Sequence, residues 1–75
     1  MMLKACILLK TEPVKLERIV ESVRKITGVK KVYASYGRFD VVVFAEASDY
    51  KQMRAISSEI NSLEGVRSTE TLAEA

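Results

Sequence analysis

The chain has 75 residues, of which 48% are hydrophobic and 29% charged, so it has the composition of a folded protein and the length of one domain spanning residues 1–75. Its formal net charge of +2 is too small for the basic surface that binds nucleic acid directly. No apolar run approaches the ~20 residues that a membrane helix needs. These properties predict a cytoplasmic protein without direct nucleic-acid or membrane partners.

The chain contains one cysteine, Cys6, and no histidine. A disulfide within the chain and a Cys/His zinc site are therefore excluded, as is catalysis with imidazole as the general base. Cys6 lies in an apolar run, where a thiol is ordinarily unreactive. We therefore expect no enzymatic activity, no cofactor and no metal site.

In chain order, the first predicted element is a β-strand from Leu3 to Lys10. The segment Thr11-Glu12-Pro13 is then expected to open a helix, with the threonine hydroxyl as its cap. Apolar residues at i, i+3, i+7 and i+10 predict the core-facing stripe of this helix: Leu16, Ile19, Val23 and Ile26. Gly28 has the position of a left-handed residue that ends a helix.

The second half of the chain repeats this pattern. A strand from Val29 to Tyr36 and a strand from Asp40 to Glu46 are expected to form a hairpin around Gly37-Arg38-Phe39. A shift of 37 positions then places Gly28 on Gly65 and the first apolar stripe on a second one: Met53, Ile56, Ile60 and Leu63. Ser48-Asp49 opens this second helix, and a last strand runs from Val66 to Leu72.

The predicted order is βαββαβ. Right-handed crossovers place both helices on one face of a four-stranded antiparallel sheet, which is the ferredoxin-like sandwich of the α+β class. Both faces of the sheet are expected to be apolar. In the third strand Val42 and Phe44 point one way and Val41, Val43 and Ala45 the other, and in the first strand Cys6 and Leu8 oppose Leu3, Ala5, Ile7 and Leu9, so the two helices can cover only one apolar side. We therefore predict a dimer in which the sheets of two copies pack face to face.

The hairpin tip is the first candidate ligand site, with an aromatic, a glycine, a cation and a carboxylate in the segment Tyr36-Gly37-Arg38-Phe39-Asp40. Asp40 could hold an ammonium group, while Arg38 or backbone amides near Gly37 could hold a carboxylate. The alternative is structural: Gly37 serves the turn geometry, Asp40 caps the turn, and Arg38 is solvated.

The last strand is the second candidate. Arg67, Thr69 and Thr71 are expected to share one of its faces. So polar a face is typical either of a solvated sheet edge or of a wet cavity between subunits. The sequence leaves both interpretations open.

The order and spacing of several short motifs carry a family resemblance: Gly37-Arg38-Phe39-Asp40-Val41-Val42-Val43, Asp49 opening a helix, Leu63-Glu64-Gly65-Val66 and Thr69-Glu70-Thr71. From Lys4 to Leu72 the chain resembles the effector-binding (RAM) domain of the leucine-responsive/asparagine regulator (Lrp/AsnC) family. The resemblance implies a sheet-packed dimer that assembles into rings and binds amino acids or similar effectors between dimers. It also implies that Gly37, Asp40, Thr69 and Thr71 line the pocket, to which Tyr36 and Arg38 are neighbours.

The family's regulators usually carry a helix-turn-helix that binds DNA, and none is predicted here. We therefore expect a stand-alone effector domain that could act on transcription by associating with a full-length Lrp/AsnC regulator. Two alternatives stay open. One is a purely structural oligomerisation module, and the other is a small cofactor-free enzyme of the dimeric α/β-barrel type using Tyr33 or Tyr36 with Arg38.

Overall fold

The computed structural model describes residues 2–74. Its strands and helices follow the predicted order, with the bounds β1 Leu3–Thr11, α1 Leu16–Arg24, β2 Val29–Ala34, β3 Val41–Ala47, α2 Tyr50–Asn61 and β4 Val66–Ala73. One turn of 3-10 helix, Pro13–Lys15, leads into α1. None of the helices in this part of the chain is long and apolar enough to cross a membrane.

The four strands form one antiparallel sheet in the order β2-β3-β1-β4, so β2 and β4 are its edges. Alternate residues of the central strands β1 and β3 are buried, as expected when helices cover one face. The predicted ferredoxin-like α+β fold is therefore confirmed.

The core lies between the sheet and the two helices. It contains the predicted stripes of both helices and the helix-facing residues of the sheet, and its most completely buried large side chains are Ile7, Leu9, Ile19, Val23, Val41, Val43 and Ile60. Each such side chain contributes about 1.5–3 kcal/mol by leaving water. This burial holds the helices on one face and leaves the other face of the sheet without cover from residues 2–74.

The two halves end their helices in the same way. After α1, the Ile26 amide donates to the Val23 carbonyl (3.0 Å) and the Val29 amide to the Ile26 carbonyl (3.1 Å). After α2, the Leu63 amide donates to the Ile60 carbonyl (3.1 Å), and Val66 follows in the same pattern. The helices therefore end before the predicted glycines. The same pattern of backbone hydrogen bonds follows both helices, so the repeat inferred from the sequence is also present in the structure.

The predicted helix-ending glycines have positive φ, +98° at Gly28 and +95° at Gly65. Their carbonyls link the halves: Gly28 accepts from the amide of Glu46, and Gly65 from the amide of Glu12, both at 2.8 Å. A Cβ at Gly28 would lie 2.9 Å from the Glu46 carbonyl oxygen. The first half of the chain is therefore hydrogen-bonded to the strand that precedes α2, and the second half to the segment that precedes α1.

The start of α1 differs from the prediction. Thr11 does not cap a helix, because it continues β1 opposite Val66, and its buried hydroxyl oxygen has no hydrogen-bond partner among the described residues. Glu12 occupies the N-cap position of the 3-10 turn and Lys15 that of α1, and neither makes a side-chain cap bond. At α2 the prediction was correct, since Asp49 Oδ1 accepts from the Gln52 amide at 2.8 Å.

Candidate functional site

The uncovered side of the sheet, which we call the helix-free face, carries an apolar patch. Cys6, Leu8 and Val42 are half-buried at its centre. Around them lie large side chains that remain exposed: Phe44 (42%), Tyr33 (49%) and Leu72 (54%). The rings of Tyr33 and Phe44 meet edge to face, with centroids 6.2 Å apart. The apolar second face expected from the sequence is therefore present.

An open cavity of about 550 Å³ lies on this face where β2 departs from regular pairing with β3. Tyr33, Phe44 and Ala45 supply much of its apolar wall, and Lys4, Lys31 and Glu46 place charges around it. Sequence reasoning missed this cavity. The bulge between Val29 and Lys31 that shapes it comes from strand pairing, which local sequence does not reveal.

Cys6 lies at the centre of the helix-free face. Desolvation by burial raises the pKa of its thiol above the ordinary value. The thiol is therefore protonated near neutral pH, and the thiolate that nucleophilic chemistry requires is scarce.

The predicted hairpin tip extends into solvent. Tyr36 is fully exposed, and apart from the adjacent residues no heavy atom of residues 2–74 lies within 4 Å of the position that a Cβ would take at Gly37, whose φ is +107°. Arg38 is exposed too. The loop from residue 35 to residue 40 is longer than the predicted turn, and Ser35 closes it by donating from its hydroxyl to the Phe39 carbonyl at 2.8 Å.

Asp40 lies at the base of that loop and is half-buried. Its Oδ2 accepts a hydrogen bond from the Thr11 amide at 2.9 Å, and its own amide donates to the Leu9 carbonyl at 2.8 Å. The Asp40 side chain therefore does not cap the turn as considered from the sequence; it links the loop to β1 instead. The structure gives Oδ1 no hydrogen bond among the described residues.

The predicted residues of the last strand lie along β4. Thr69 pairs with Leu9 and Thr71 with Ile7, so both threonines share the side of the sheet that carries the helices. The Oγ1 of Thr71 is 2.7 Å from the Ser57 hydroxyl of α2. Thr71 also borders a groove of about 410 Å³ between α2 and β4, together with Tyr50, Met53, Arg54 and Ser57.

The structure does not gather the predicted site residues in one place. Asp40 and Thr69 lie on opposite flanks of β1 at the level of Leu9. Tyr36, Gly37 and Arg38 belong neither to the α2–β4 groove nor to the cavity on the helix-free face. One copy therefore does not collect all the predicted ligand-binding residues around one cavity.

Residues 4–73 match the family model described as the Lrp/AsnC ligand binding domain. The chain belongs to this family. The match covers β1 through β4 and includes both candidate ligand regions, the β2–β3 loop and the last strand. The resemblance drawn from short motifs is thereby confirmed. No protein of curated function matches the chain significantly.

Solved structures of similar size share this fold. The protein TTHA0845 from Thermus thermophilus is 27% identical, with a TM-score of 0.93 over 97% of this chain and 92% of that one. The protein FFRP-DM1 is 26% identical, with a TM-score of 0.90 over 97% and 99% of the two chains. Both chains have nearly the same extent as this one.

A longer protein also contains the fold. A transcriptional regulator from Neisseria meningitidis, NMB0573, solved as a complex with L-Met, is 22% identical with a TM-score of 0.86. The alignment covers 97% of this chain and 49% of the regulator. At this identity the likeness shows the shared fold alone.

Proposed function

We propose that this Lrp/AsnC domain is a non-catalytic binding module that takes up an amino acid or a similar small effector at a site completed by neighbouring copies. The observation that carries the proposal is the family match over residues 4–73 to a ligand-binding domain. The structural relative NMB0573, solved as a complex with L-Met, supports an amino acid as the ligand class.

The distribution of polar groups supports a site shared between copies. Asp40 has a carboxylate oxygen available for an ammonium group, and the exposed tip offers Arg38 and the backbone near Gly37 for a carboxylate. Thr69 and Thr71 provide hydroxyls from β4, and Tyr36 provides an exposed ring. Since no one cavity contains these groups in one copy, a second copy has to complete the enclosure.

The helix-free face supports a homodimer as the first step of assembly. Four strands about 4.8 Å apart, each with roughly eight residues rising about 3.3 Å, span a face of about 500 Å². Two such faces bury about 1,000 Å², which reaches the lower limit for a specific interface. The exposed Phe44, Tyr33 and Leu72 are the large apolar side chains that such contact would remove from water.

Sedimentation equilibrium over a range of protein concentrations tests the dimer. We expect a reversible dimer for the natural chain and a monomer for Leu8→Asp, because a carboxylate on the central β1 position would be buried unpaired. Val14→Asp is the matched control, since Val14 is 93% exposed and lies outside the sheet. A natural chain that stays monomeric at all accessible concentrations would overturn this part of the proposal.

Thermal shift with a panel of the twenty amino acids tests effector binding. A ligand that binds only the folded state stabilises it by RT ln(1 + [L]/Kd), about 2.7 kcal/mol at 100 times Kd. We expect at least one amino acid to raise the melting temperature, and Asp40→Asn and Thr71→Ala to reduce the shift. Glu17→Gln on the exposed side of α1 is the control. An unchanged melting temperature across the panel would favour the purely structural module.

Ring assembly and a partner regulator complete the proposal. We propose that ligand occupancy favours association of dimers into rings, because a ligand held between dimers is linked to their contact. We also propose that the domain joins full-length Lrp/AsnC regulators through the helix-free face. Native mass spectrometry of mixtures tests both, and failure to form mixed species with such a regulator would count against the second.

A further inference from the structure

The internal repeat produces two equivalent grooves on the side of the sheet that carries the helices, one beside each edge strand. The first, about 370 Å³ in volume, lies between α1 and β2. The second is the groove of about 410 Å³ between α2 and β4. The shift of 37 positions (54 − 17) aligns four lining residues of the first groove with four of the second: Leu16, Glu17, Val20 and Ala34 with Met53, Arg54, Ser57 and Thr71. The two grooves are therefore built alike and can be compared position by position.

The two grooves differ in their chemistry. The first has the carboxylate of Glu17 where the second has the guanidinium of Arg54. The first has apolar side chains where the second has the hydroxyls of Ser57 and Thr71. Both have an apolar floor, which in the second groove is Met53, only 2% exposed. The α2–β4 groove therefore combines a cation, hydroxyl groups and an apolar surface.

The guanidinium of Arg54 forms no ion pair within residues 2–74. The ion pairs of this part of the chain are Lys15–Glu64 and Arg24–Glu21, and the second of these occupies the cation of the α1–β2 groove. The residues one helical turn from Arg54 carry no carboxylate: Tyr50, Lys51, Ser57 and Ser58. The α2–β4 groove therefore keeps a positive charge that its counterpart lacks.

The acidic residues of the last strand and its end do not face this groove either. Glu70 pairs with Leu8, so its side chain lies on the helix-free face. Glu74 Oε1 accepts a hydrogen bond from the Lys4 amide at 3.0 Å, which holds this carboxylate toward β1. Among the described residues, none that lines the groove carries a carboxylate. A bound anion therefore meets no like charge in the lining.

The hydroxyls of Ser57 and Thr71 add a hydrogen-bond donor. Their oxygens are 2.7 Å apart, so one of the two hydroxyl hydrogens lies in the bond between them. Neither hydroxyl makes another hydrogen bond with residues 2–74. The pair therefore has one hydrogen left that can donate to an acceptor in the groove.

From these observations we infer that the α2–β4 groove binds a small carboxylic acid with an apolar body. The carboxylate accepts from the Arg54 guanidinium, whose planar fork of donors suits it, and from the free hydrogen of the hydroxyl pair. The apolar body packs on Met53 and against the ring of Tyr50, which is 54% exposed. The Tyr50 hydroxyl donates to the Glu74 carbonyl at 3.1 Å, which holds the ring beside the groove.

This site is separate from the effector site proposed above. It lies within one copy, and Asp40, the candidate partner of an ammonium group, is not among its lining residues. An amino acid in the groove would leave its ammonium group without an anion, so the groove favours acids that lack one. Thr71 belongs to both sets of residues, so Arg54 rather than Thr71 distinguishes the two sites.

Calorimetric titration with phenylacetate tests the site, with the neutral phenylacetamide as the control ligand. We expect the amide to bind about tenfold more weakly than the acid, because it lacks the charge that Arg54 recognises. Arg54→Gln should weaken phenylacetate binding about tenfold or more, since it removes the guanidinium at an exposed position. Glu17→Gln is the matched control, because it makes the same kind of change at the equivalent position of the α1–β2 groove. It should leave the affinity unchanged.

Two further measurements locate the bound acid. In protein with isotope-labelled methionine methyl groups, the Met53 resonance should shift on titration. The melting temperature of the ligand-free Arg54→Gln protein should equal that of the natural chain, so that a loss of binding reports on the groove and not on folding.

Equal affinity for phenylacetate and phenylacetamide would overturn the inference, as would undiminished binding to Arg54→Gln or no binding at millimolar phenylacetate. Phenylacetate binding that is lost in Asp40→Asn and retained in Arg54→Gln would assign the acid to the effector site instead. The response to amino acids should survive Arg54→Gln, so the proposed effector site stands or fails independently of this groove.

Discussion

Asp40 joins the β2–β3 loop to the end of β1, because its Oδ2 accepts a hydrogen bond from the Thr11 amide at 2.9 Å. The Asp40 amide adds a second bond to the same strand at Leu9. A residue that the family resemblance assigns to the ligand pocket is thus also a structural link. Any experiment on its role in binding has to separate these two effects.

We predict that Asp40→Ala and Asp40→Asn differ in stability. Alanine leaves the partly buried Thr11 amide without its acceptor, which should cost about 1–3 kcal/mol of unfolding free energy. Asparagine keeps an oxygen acceptor at nearly the same position and should lose less. Urea denaturation of the three proteins measures the difference. Equal losses for both substitutions would show that the hydrogen bond to Thr11 contributes little.

The glycines should differ in their tolerance of alanine. Gly28→Ala combines a positive φ with a Cβ placed 2.9 Å from a backbone oxygen, whereas Gly37→Ala meets only the unfavourable φ. We expect Gly37→Ala to cost about 1–2 kcal/mol and Gly28→Ala clearly more. Thermal and urea unfolding check the order. A reversed order would contradict the close approach at Gly28.

The stability cost of substituting Ile7 should not depend on protein concentration, whereas the cost of substituting its neighbour Leu8 should. Ile7 is fully buried beneath the helices, so Ile7→Ala should cost about 2–5 kcal/mol at any concentration. Leu8 points to the helix-free face, so Leu8→Ala should cost little in dilute protein and more where dimers form. Unfolding curves recorded over a hundredfold range of concentration test this. Parallel behaviour of the two variants would argue against a covered helix-free face.

Cys6 should react slowly with alkylating reagents. Because burial raises the pKa of its thiol, the thiolate fraction at pH 8 is smaller than in an unfolded cysteine peptide. The labelling rate should therefore rise only at more alkaline pH, and it should fall as protein concentration increases if the face is covered. Mass spectrometry after timed iodoacetamide treatment measures both. Rapid labelling at pH 7 would contradict the raised pKa.

Local sequence was sufficient for the order of the elements. The stripes ending at Ile26 and Leu63 predicted both helices, and the alternation around Phe44 predicted a sheet with two apolar faces. It was insufficient at Thr11, where pairing with Val66 extends β1 and overrides a favourable capping residue. Val66 lies 55 positions farther along the chain (66 − 11), so the local sequence around Thr11 does not reveal this pairing.

The candidate site, too, was predictable from the sequence only in part. Its residue types were visible in the sequence at Gly37, Asp40 and Thr71, because turn glycines and polar strand residues are local features. The attachment of Asp40 to Thr11 and of Thr71 to Ser57 was not visible, because each joins separate elements. The cavity on the helix-free face depends on a register shift in strand pairing, which is also a long-range property.

By itself, the sequence determined that this chain is a repeated βαβ unit with more apolar sheet surface than its own helices can cover, since periodicity and burial are properties of each segment. Only the tertiary structure decided the strand order and register, and with them which charged and apolar residues of separate strands lie side by side. Strand order is set by long-range packing and hydrogen bonding, so charges that are far apart in the chain acquire their relationship only after folding.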